Sequence, residues 1–305
     1  MHAILAAAER AVSQGQQSPR LVFVGDRGQL QSVGAGSGLR LVADILPVQR
    51  VETIVRQREQ WARDAVTDFG AGRASEALTV FETRGLYQEA ANAKACVGGL
   101  VDAWQKSRSD HPDHSRLLVA RTNAQVRAVS EEVRRRLRMS GEITGDDVTI
   151  DAVTRSGQRV ALPLAEGDRV RFLVRAHLAG AEVVNGTEAE IVAVNRIDDK
   201  RSDLTVHLGG RHVRFSSDQI SDEAGRALLT HAYASTIYGA QGLTVDEAFV
   251  WVSPEMDRHD IYVAASRARL ETHLFTDRQA LDVRLLSEAP LDRRSAADEI
   301  APAAR

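Results

Sequence analysis

The stretch His231–Val252, HAYASTIYGAQGLTVDEAFVWV, followed after a short spacer by Asp260–Arg269, DIYVAASRAR, decides how the chain is read. Ala248–Val252 is an uninterrupted apolar run, the pattern of a strand buried on both faces of a parallel sheet. A Gly-Gln-Gly turn (Gly239, Gln241, Gly242) precedes it, and a helix ending in Ser266, Arg267 and Arg269 follows it. Polar groups and arginines at the ends of such strands and helices are where α/β proteins place phosphate chemistry.

Working outward from this stretch, residues 3 to 13 fit an amphipathic helix, and Arg20 to Val24 reads as a strand ending in Gly25-Asp26-Arg27-Gly28-Gln29-Leu30. That ending admits two readings, a carboxylate and an amide positioned for a metal-bound water or a phosphate oxygen, or a glycine-rich turn with a capping Asp. Residues 51 to 69 read as a helix with Arg56-Gln57-Arg58 near its start, and helices are expected over 75–82 and 88–107. RLLVA (116–120) is a second buried-strand signal. Thr122-Asn123 caps the next helix, whose Val126, Val129, Val133 and Leu137 share one face. Its Arg134, Arg135, Arg136 and Arg138, flanked by Glu131 and Glu132, read as a solvated face.

Between about 146 and 222 the texture changes to short alternating segments, with Asn185-Gly186 and Gly209-Gly210 as hairpin signals. Five or six short strands with tight turns predict a small barrel inserted into the α/β domain. HLFT (273–276) is the last expected strand, and the residues beyond Leu285 read as a disordered tail.

Composition limits the function classes. With 305 residues, 43% of them apolar, the chain can bury a large core, and a net charge of -3 excludes a generally basic coat protein while leaving room for a local basic groove. The single cysteine, Cys96, excludes a disulfide framework and lies on an apolar helical face with Val97, Leu100 and Trp104. No run approaches the roughly 18 apolar residues of a membrane span, so no membrane contact is expected and the cytoplasm is the default location. None of the three lysines (Lys94, Lys106, Lys200) follows a glycine, so the sequence contains no phosphate-binding loop of the Gly-x-x-x-x-Gly-Lys-Ser/Thr kind. Gly34-Ala35-Gly36-Ser37-Gly38 lacks dinucleotide spacing. The pairs Asp222-Glu223 and Asp246-Glu247 read as turns or caps rather than a metal-holding pair.

The order of these elements carries more than any one of them. VFVGDRGQLQSVGAG, IVRQREQW, LLVARTN, a barrel insertion, HAYASTIYGAQGLTVD and YVAASRAR together resemble the C-terminal half of a superfamily 1B DNA helicase. The resemblance is nearest to the helicase part of conjugative relaxases (TraA, TraI and TrwC type), with RecD-type helicases next. It implies an α/β fold: a remnant of a first RecA-like domain over 1–50, a second RecA-like domain over 51–145 and 226–282, and a Src-homology-3-like β-barrel over 146–225. Residues 283–305 would be a tail or linker.

By the same resemblance, Asp26 and Gln29 would sense the γ-phosphate and Mg²⁺ of ATP, Arg56 would face the γ-phosphate beside Gln57, and Arg267 would be the arginine finger. Gln241 and Gly242 would link nucleotide state to single-stranded DNA, with Thr122, Asn123, Thr236 and Tyr238 on the DNA side. No resident metal ligands are expected. Tyr238 and Gly239 stand where many members have His-Lys, and the P-loop, acidic pair and relaxase nuclease domain are absent. The expectation is therefore a fragment of a 5′ to 3′ helicase serving plasmid transfer, inactive without its N-terminal half. A truncated RecD-type repair helicase, a single-stranded DNA-binding remnant and a decayed gene product are the alternatives.

Overall fold

The computed structural model describes residues 2–17, 19–25, 38–49, 55–154 and 157–288. Asp26 and Gln29 lie outside the described residues, as does the chain beyond 288. Helix α1 (His2–Ser13) covers the expected first helix, and α2 (Gly38–Ile45) follows. The strand expected over 20–24 does not form: these residues have no regular structure, and Val22 and Val24 are 82% and 90% exposed. An apolar strand needs partners for its backbone and cover for its side chains, and no strand among the described residues lies beside it.

Helix α3 (Gln60–Ala71) starts nine residues after the expected 51, since residues 55–59 run as non-helical chain. The cause is tertiary: Arg58 donates its backbone N–H to the Arg269 carbonyl oxygen at 2.9 Å. Next come α4 (Ala74–Thr83), the edge strand β1 (Tyr87–Ala90), α5 (Ala93–Asp110), β2 (Arg116–Ala120) and α6 (Asn123–Ser140). Residues 88–90, expected as the start of a helix over 88–107, lie instead in β1, whose YQEA is polar at its centre and gives no strand signal.

The β-rich stretch holds β3 (Thr144–Val153), β4 (Arg159–Glu166), β5 (Arg169–Phe172), β6 (Ala176–Leu178), β7 (Ala181–Val183), β8 (Glu188–Arg196), β9 (Ser202–Leu208) and β10 (Arg211–Ser216). The chain then returns through β11 (Leu229–His231), β12 (Ala234–Thr236), β13 (Val245–Val252), α7 (Arg258–Ala265), β14 (Ala268–Asp277) and α8 (Arg278–Glu288). Residues 283–288, expected in the tail, are therefore helical. Asp277 accepts the Ala280 N–H at 3.2 Å at the helix start, and the segment is rich in helix formers.

Strands β1, β14, β13, β2 and β12 form one parallel sheet in that order. Its centre is the run that opened the sequence reading. Ala248 and Val250 pack with Phe69, Phe81 and Val263 on one side, whereas Phe249 and Trp251 pack with Leu100, Trp104 and Val133 on the other. Alternating residues feed two cores, which explains why the strand is apolar throughout. Cys96 is fully buried in the second core, and burial pushes its thiol pKa up to about 12.

The β-rich module has an antiparallel sheet in the order β10-β9-β8-β5-β11 and two hairpins, β3–β4 and β6–β7, around a separate core that includes Phe172, Leu204 and Ile191. Gly209-Gly210 is the two-residue turn between β9 and β10, both glycines having positive φ. Asn185-Gly186 joins β7 to β8, which are not paired; Gly186 donates to the Phe172 carbonyl oxygen and so lengthens the β5–β8 contact instead. The second tight hairpin is at Ala179-Gly180, where Ala179 has φ 44°.

The module and the parallel sheet are joined by a short crossing and a buried charge network. β11 pairs with β5 in the module, and two residues later β12 pairs with β2 in the parallel sheet. Asp168, fully buried between β4 and β5, accepts from Arg134 Nε and Nη2 (2.9 and 2.8 Å), the Tyr233 hydroxyl (2.7 Å) and the Ala165 N–H (2.8 Å). Arg134 is thus not on a solvated face. It points inward and also bonds Asp147, since a buried guanidinium needs carboxylates to offset its lost hydration.

Candidate nucleotide and nucleic-acid site

Two groups of functional candidates lie at opposite edges of the parallel sheet. At the edge where β13 and β14 begin, α7 ends at Ala265, Ser266 forms its C-cap, and the chain passes through Arg267 into β14. Residues 56–58 lie along this passage. Arg56 Nη1 donates to the Ser266 carbonyl oxygen at 2.7 Å, and the Gln57 side-chain amide donates to the Ser266 and Ala268 carbonyls at 3.2 and 2.8 Å. Gln57 is 3% exposed, and its amide oxygen has no hydrogen-bond partner.

Arg267 is 2% exposed, so it is neither a surface arginine nor an open finger in this structure. Its Nε donates to the Val263 carbonyl oxygen (2.8 Å), Nη2 to Ser266 Oγ (2.7 Å) and Nη1 to the Leu243 carbonyl oxygen (3.4 Å). Leu243 directly follows the Gln241-Gly242 turn, where Gly242 has φ 86° and Gln241 is exposed. The fold thereby gathers the Arg56-Gln57, Ser266-Arg267-Ala268 and Gln241-Gly242 segments at one place.

Arg269 belongs to the same place. It bonds Asp246 at 2.8 Å, and Asp246 also accepts from the backbone N–H and hydroxyl of Ser115. These Ser115 bonds first, then Arg269, hold the Asp246 carboxyl at about 2. Asp246 is the second residue of β13, neither a turn nor a cap, because its carboxylate ties the strand start to the chain entering β2. Asp222 does form a turn, accepting the N–H groups of Ala224 and Arg226.

At the opposite edge, a cleft of about 440 Å³ separates α6 from the β-rich module. Asn123 and Thr236 line it together with Arg127, Ser235 and Arg171. Thr122 is not in its lining; the hydroxyl accepts the Gln125 N–H at 3.2 Å as the helix cap. Tyr238, 53% exposed, faces a second cavity of about 560 Å³ beside Arg121 and Asp257. Thr236 Oγ1 accepts the Gly239 N–H at 3.0 Å, and a Cβ at Gly239 would meet Ser235 Oγ at 2.5 Å, so a larger residue there would displace the Ser235 hydroxyl.

The arginines on the outer face of α6 are internally neutralised: Arg135 pairs with Glu132, Arg136 with Glu132 and Asp102, and Arg138 with Asp147. Arg127 differs from them. Its side chain makes no hydrogen bond or ion pair among the described residues, and sequence reading passed over it, since nothing in RTNAQVRAV separates it from its neighbours. No group of three or more His, Cys, Asp or Glu side chains able to hold a metal occurs among the described residues, and no described helix is long and apolar enough to cross a membrane.

The AAA-domain family matches residues 1–92. The chain is 32% identical over 252 residues to the probable conjugal transfer protein TraA of Sinorhizobium fredii, and 32% identical over 263 residues to conjugal transfer protein TraA of Agrobacterium fabrum. These matches take in 82% and 84% of this chain but 21% and 22% of the relatives, so the chain spans about a fifth of their length. A crystal structure of Bacteroides Pif1 bound to ssDNA superposes with a TM-score of 0.52 at 21% identity, over 91% of this chain and 68% of that one. Over most of its length the chain is thus similar to about a fifth of the conjugal transfer TraA proteins, and it shares its fold with the Bacteroides Pif1 structure.

Proposed function

We propose that this chain supplies the second RecA-like half of an ATP-dependent 5′ to 3′ helicase in conjugative DNA transfer, with the β-rich module as its inserted Src-homology-3-like barrel. The observation that carries the reading is the bonding of Arg56 and Gln57 to the carbonyls of Ser266 and Ala268. It puts two arginine-bearing segments, far apart in sequence, on one edge of the sheet. In this reading Arg56 and Arg267 serve the γ-phosphate, because cations placed where charge develops speed phosphoryl transfer by roughly 10³ to 10⁵. In this reading Arg267 turns from its present partners to phosphate oxygens, which its planar fork matches. Asp26 and Gln29 keep their proposed roles toward the γ-phosphate and Mg²⁺, and Gln241-Gly242 links the nucleotide edge to the DNA edge.

Single-stranded DNA is the proposed partner along the cleft lined by Asn123 and Thr236, with Tyr238 beyond it. A helicase half that carries a phosphate-binding loop is the proposed protein partner, since the 305 residues contain none. The test is DNA-stimulated ATP hydrolysis. The chain alone should turn over no ATP, whereas joined to the P-loop-bearing segment of a TraA relative it should, and Arg267→Ala should abolish that turnover. Hydrolysis by the chain alone, lost in Arg267→Ala, would overturn the proposal.

A further inference from the structure

We infer that the cleft between α6 and the β-rich module contains one dedicated phosphate subsite, centred on Arg127 in a lining that also holds Ser235, which takes a phosphodiester of a single strand. The inference rests on the reading of this cleft as the path of DNA. Two buried polar atoms carry it. Arg127 Nη1 is shielded from solvent with no hydrogen-bond partner, and Ser235 Oγ, on a residue 2% exposed, also has none. Both residues line the cleft. A buried donor without a partner costs about 1–3 kcal/mol, so two in the lining of one cavity call for an acceptor absent from the chain itself.

The surroundings fix the charge of that acceptor. Of the other arginines lining the cleft, Arg134, Arg135 and Arg138 are held by Asp168, Asp147 and Glu132, and Arg171 by Glu188. Arg127 alone among the described cleft arginines retains its full positive charge for a ligand. The same cleft has apolar walls, Val126, Leu162 and Leu229 among them, suited to the sugar and base faces of a nucleotide. An anion with apolar flanks describes a nucleic-acid backbone better than a free inorganic ion. The stretch of arginines later in α6, the more conspicuous feature of the sequence, has no part in it.

The test uses the full 305-residue chain and a labelled single-stranded oligodeoxynucleotide. Arg127→Met keeps the aliphatic stem and removes the charge. It should weaken binding about tenfold and reduce the slope of log affinity against log salt by about 0.7, the value of one phosphate contact on a single strand. Arg127→Lys should restore the slope but only part of the affinity, and Arg135→Met should change neither. The melting temperature of Arg127→Met should be no lower than that of the unsubstituted protein, since no intramolecular bond is lost and an unpartnered buried donor is removed.

Equal affinity and slope for Arg127→Met and the unsubstituted chain would overturn the subsite while leaving the cleft as a DNA path. Failure of the unsubstituted chain to bind the oligonucleotide would overturn both. Competition by ATP or inorganic phosphate that disappears in Arg127→Met would assign the subsite to a free phosphate and overturn the strand proposal.

Discussion

Arg56 donates to the carbonyl oxygen of Ser266 at 2.7 Å across 210 residues of sequence. A carbonyl at the C-cap of α7 has lost its helical partner, so a guanidinium there satisfies an orphan acceptor and favours the negative end of the helix dipole. The bond fixes the segment before α3 against the turn that carries Arg267.

Gln57 makes the companion contact, and its loss can be measured. Gln57→Leu removes the amide donor from a buried site, takes the side-chain bond from the Ala268 carbonyl and leaves the Ser266 carbonyl with Arg56. It should destabilise the chain by about 1–3 kcal/mol, read as a lower urea midpoint at constant slope. An unchanged midpoint would mean that other contacts hold the segment.

Asp168 is the centre of the buried network between α6 and the module. Asp168→Ala leaves Arg134 with Asp147 alone and strips the Tyr233 hydroxyl of its acceptor. The expected loss is about 3–5 kcal/mol, checked by chemical denaturation.

His231 should make stability depend on pH. Burial lowers its pKa from the ordinary 6.5, only partly opposed by Asp168, and its Nε2 lies 2.9 Å from the Pro163 carbonyl oxygen. The unfolded chain therefore takes up a proton at higher pH than the folded one. The contribution is fully present above about pH 6.5 and is lost as pH falls below it toward the depressed folded value. His231→Gln, which keeps a donor and cannot titrate, should flatten that part of the profile. Unfolding curves at a series of pH values for both proteins decide it.

Ala179 adopts φ 44° in the two-residue turn between β6 and β7, a conformation that costs an alanine more than a glycine. Open space surrounds the neighbouring Gly180, so the turn carries no packing demand. Ala179→Gly should raise stability by about 0.5–1 kcal/mol, seen as a higher melting temperature.

What could be read in the sequence was what depends on local periodicity. β2 was delimited to the residue by RLLVA, and the AFVWV run lies in the sheet centre, since a strand covered on both faces must be apolar at every position. The Thr122 cap was equally plain, because a hydroxyl three residues before Gln125 states its own geometry. Misreadings arose where distant chain decided the outcome. Arg56-Gln57-Arg58 looked helical, but bonds to the passage from α7 into β14 hold them as non-helical chain. Arg134 looked solvated, but its partner Asp168 is 34 residues away. The strand signal at 20–24 was sound in composition and finds no sheet among the described residues. Arg267 and Gln241-Gly242 are candidates that motif order picks out and the fold brings together, whereas Arg127 is singled out only by what fails to contact it.

The crossing from β11 to β12 makes the module's position discrete. Strand side chains alternate faces, so a slide of the module along its axis by one residue, about 3.3 Å, would drag β12 one place against β2 and turn Ser235 and Thr236 over to opposite faces. The next permitted position lies two residues away, at the cost of unzipping a strand of only three. The register of this short strand therefore sets the module's place beside the cleft in two-residue steps and not continuously.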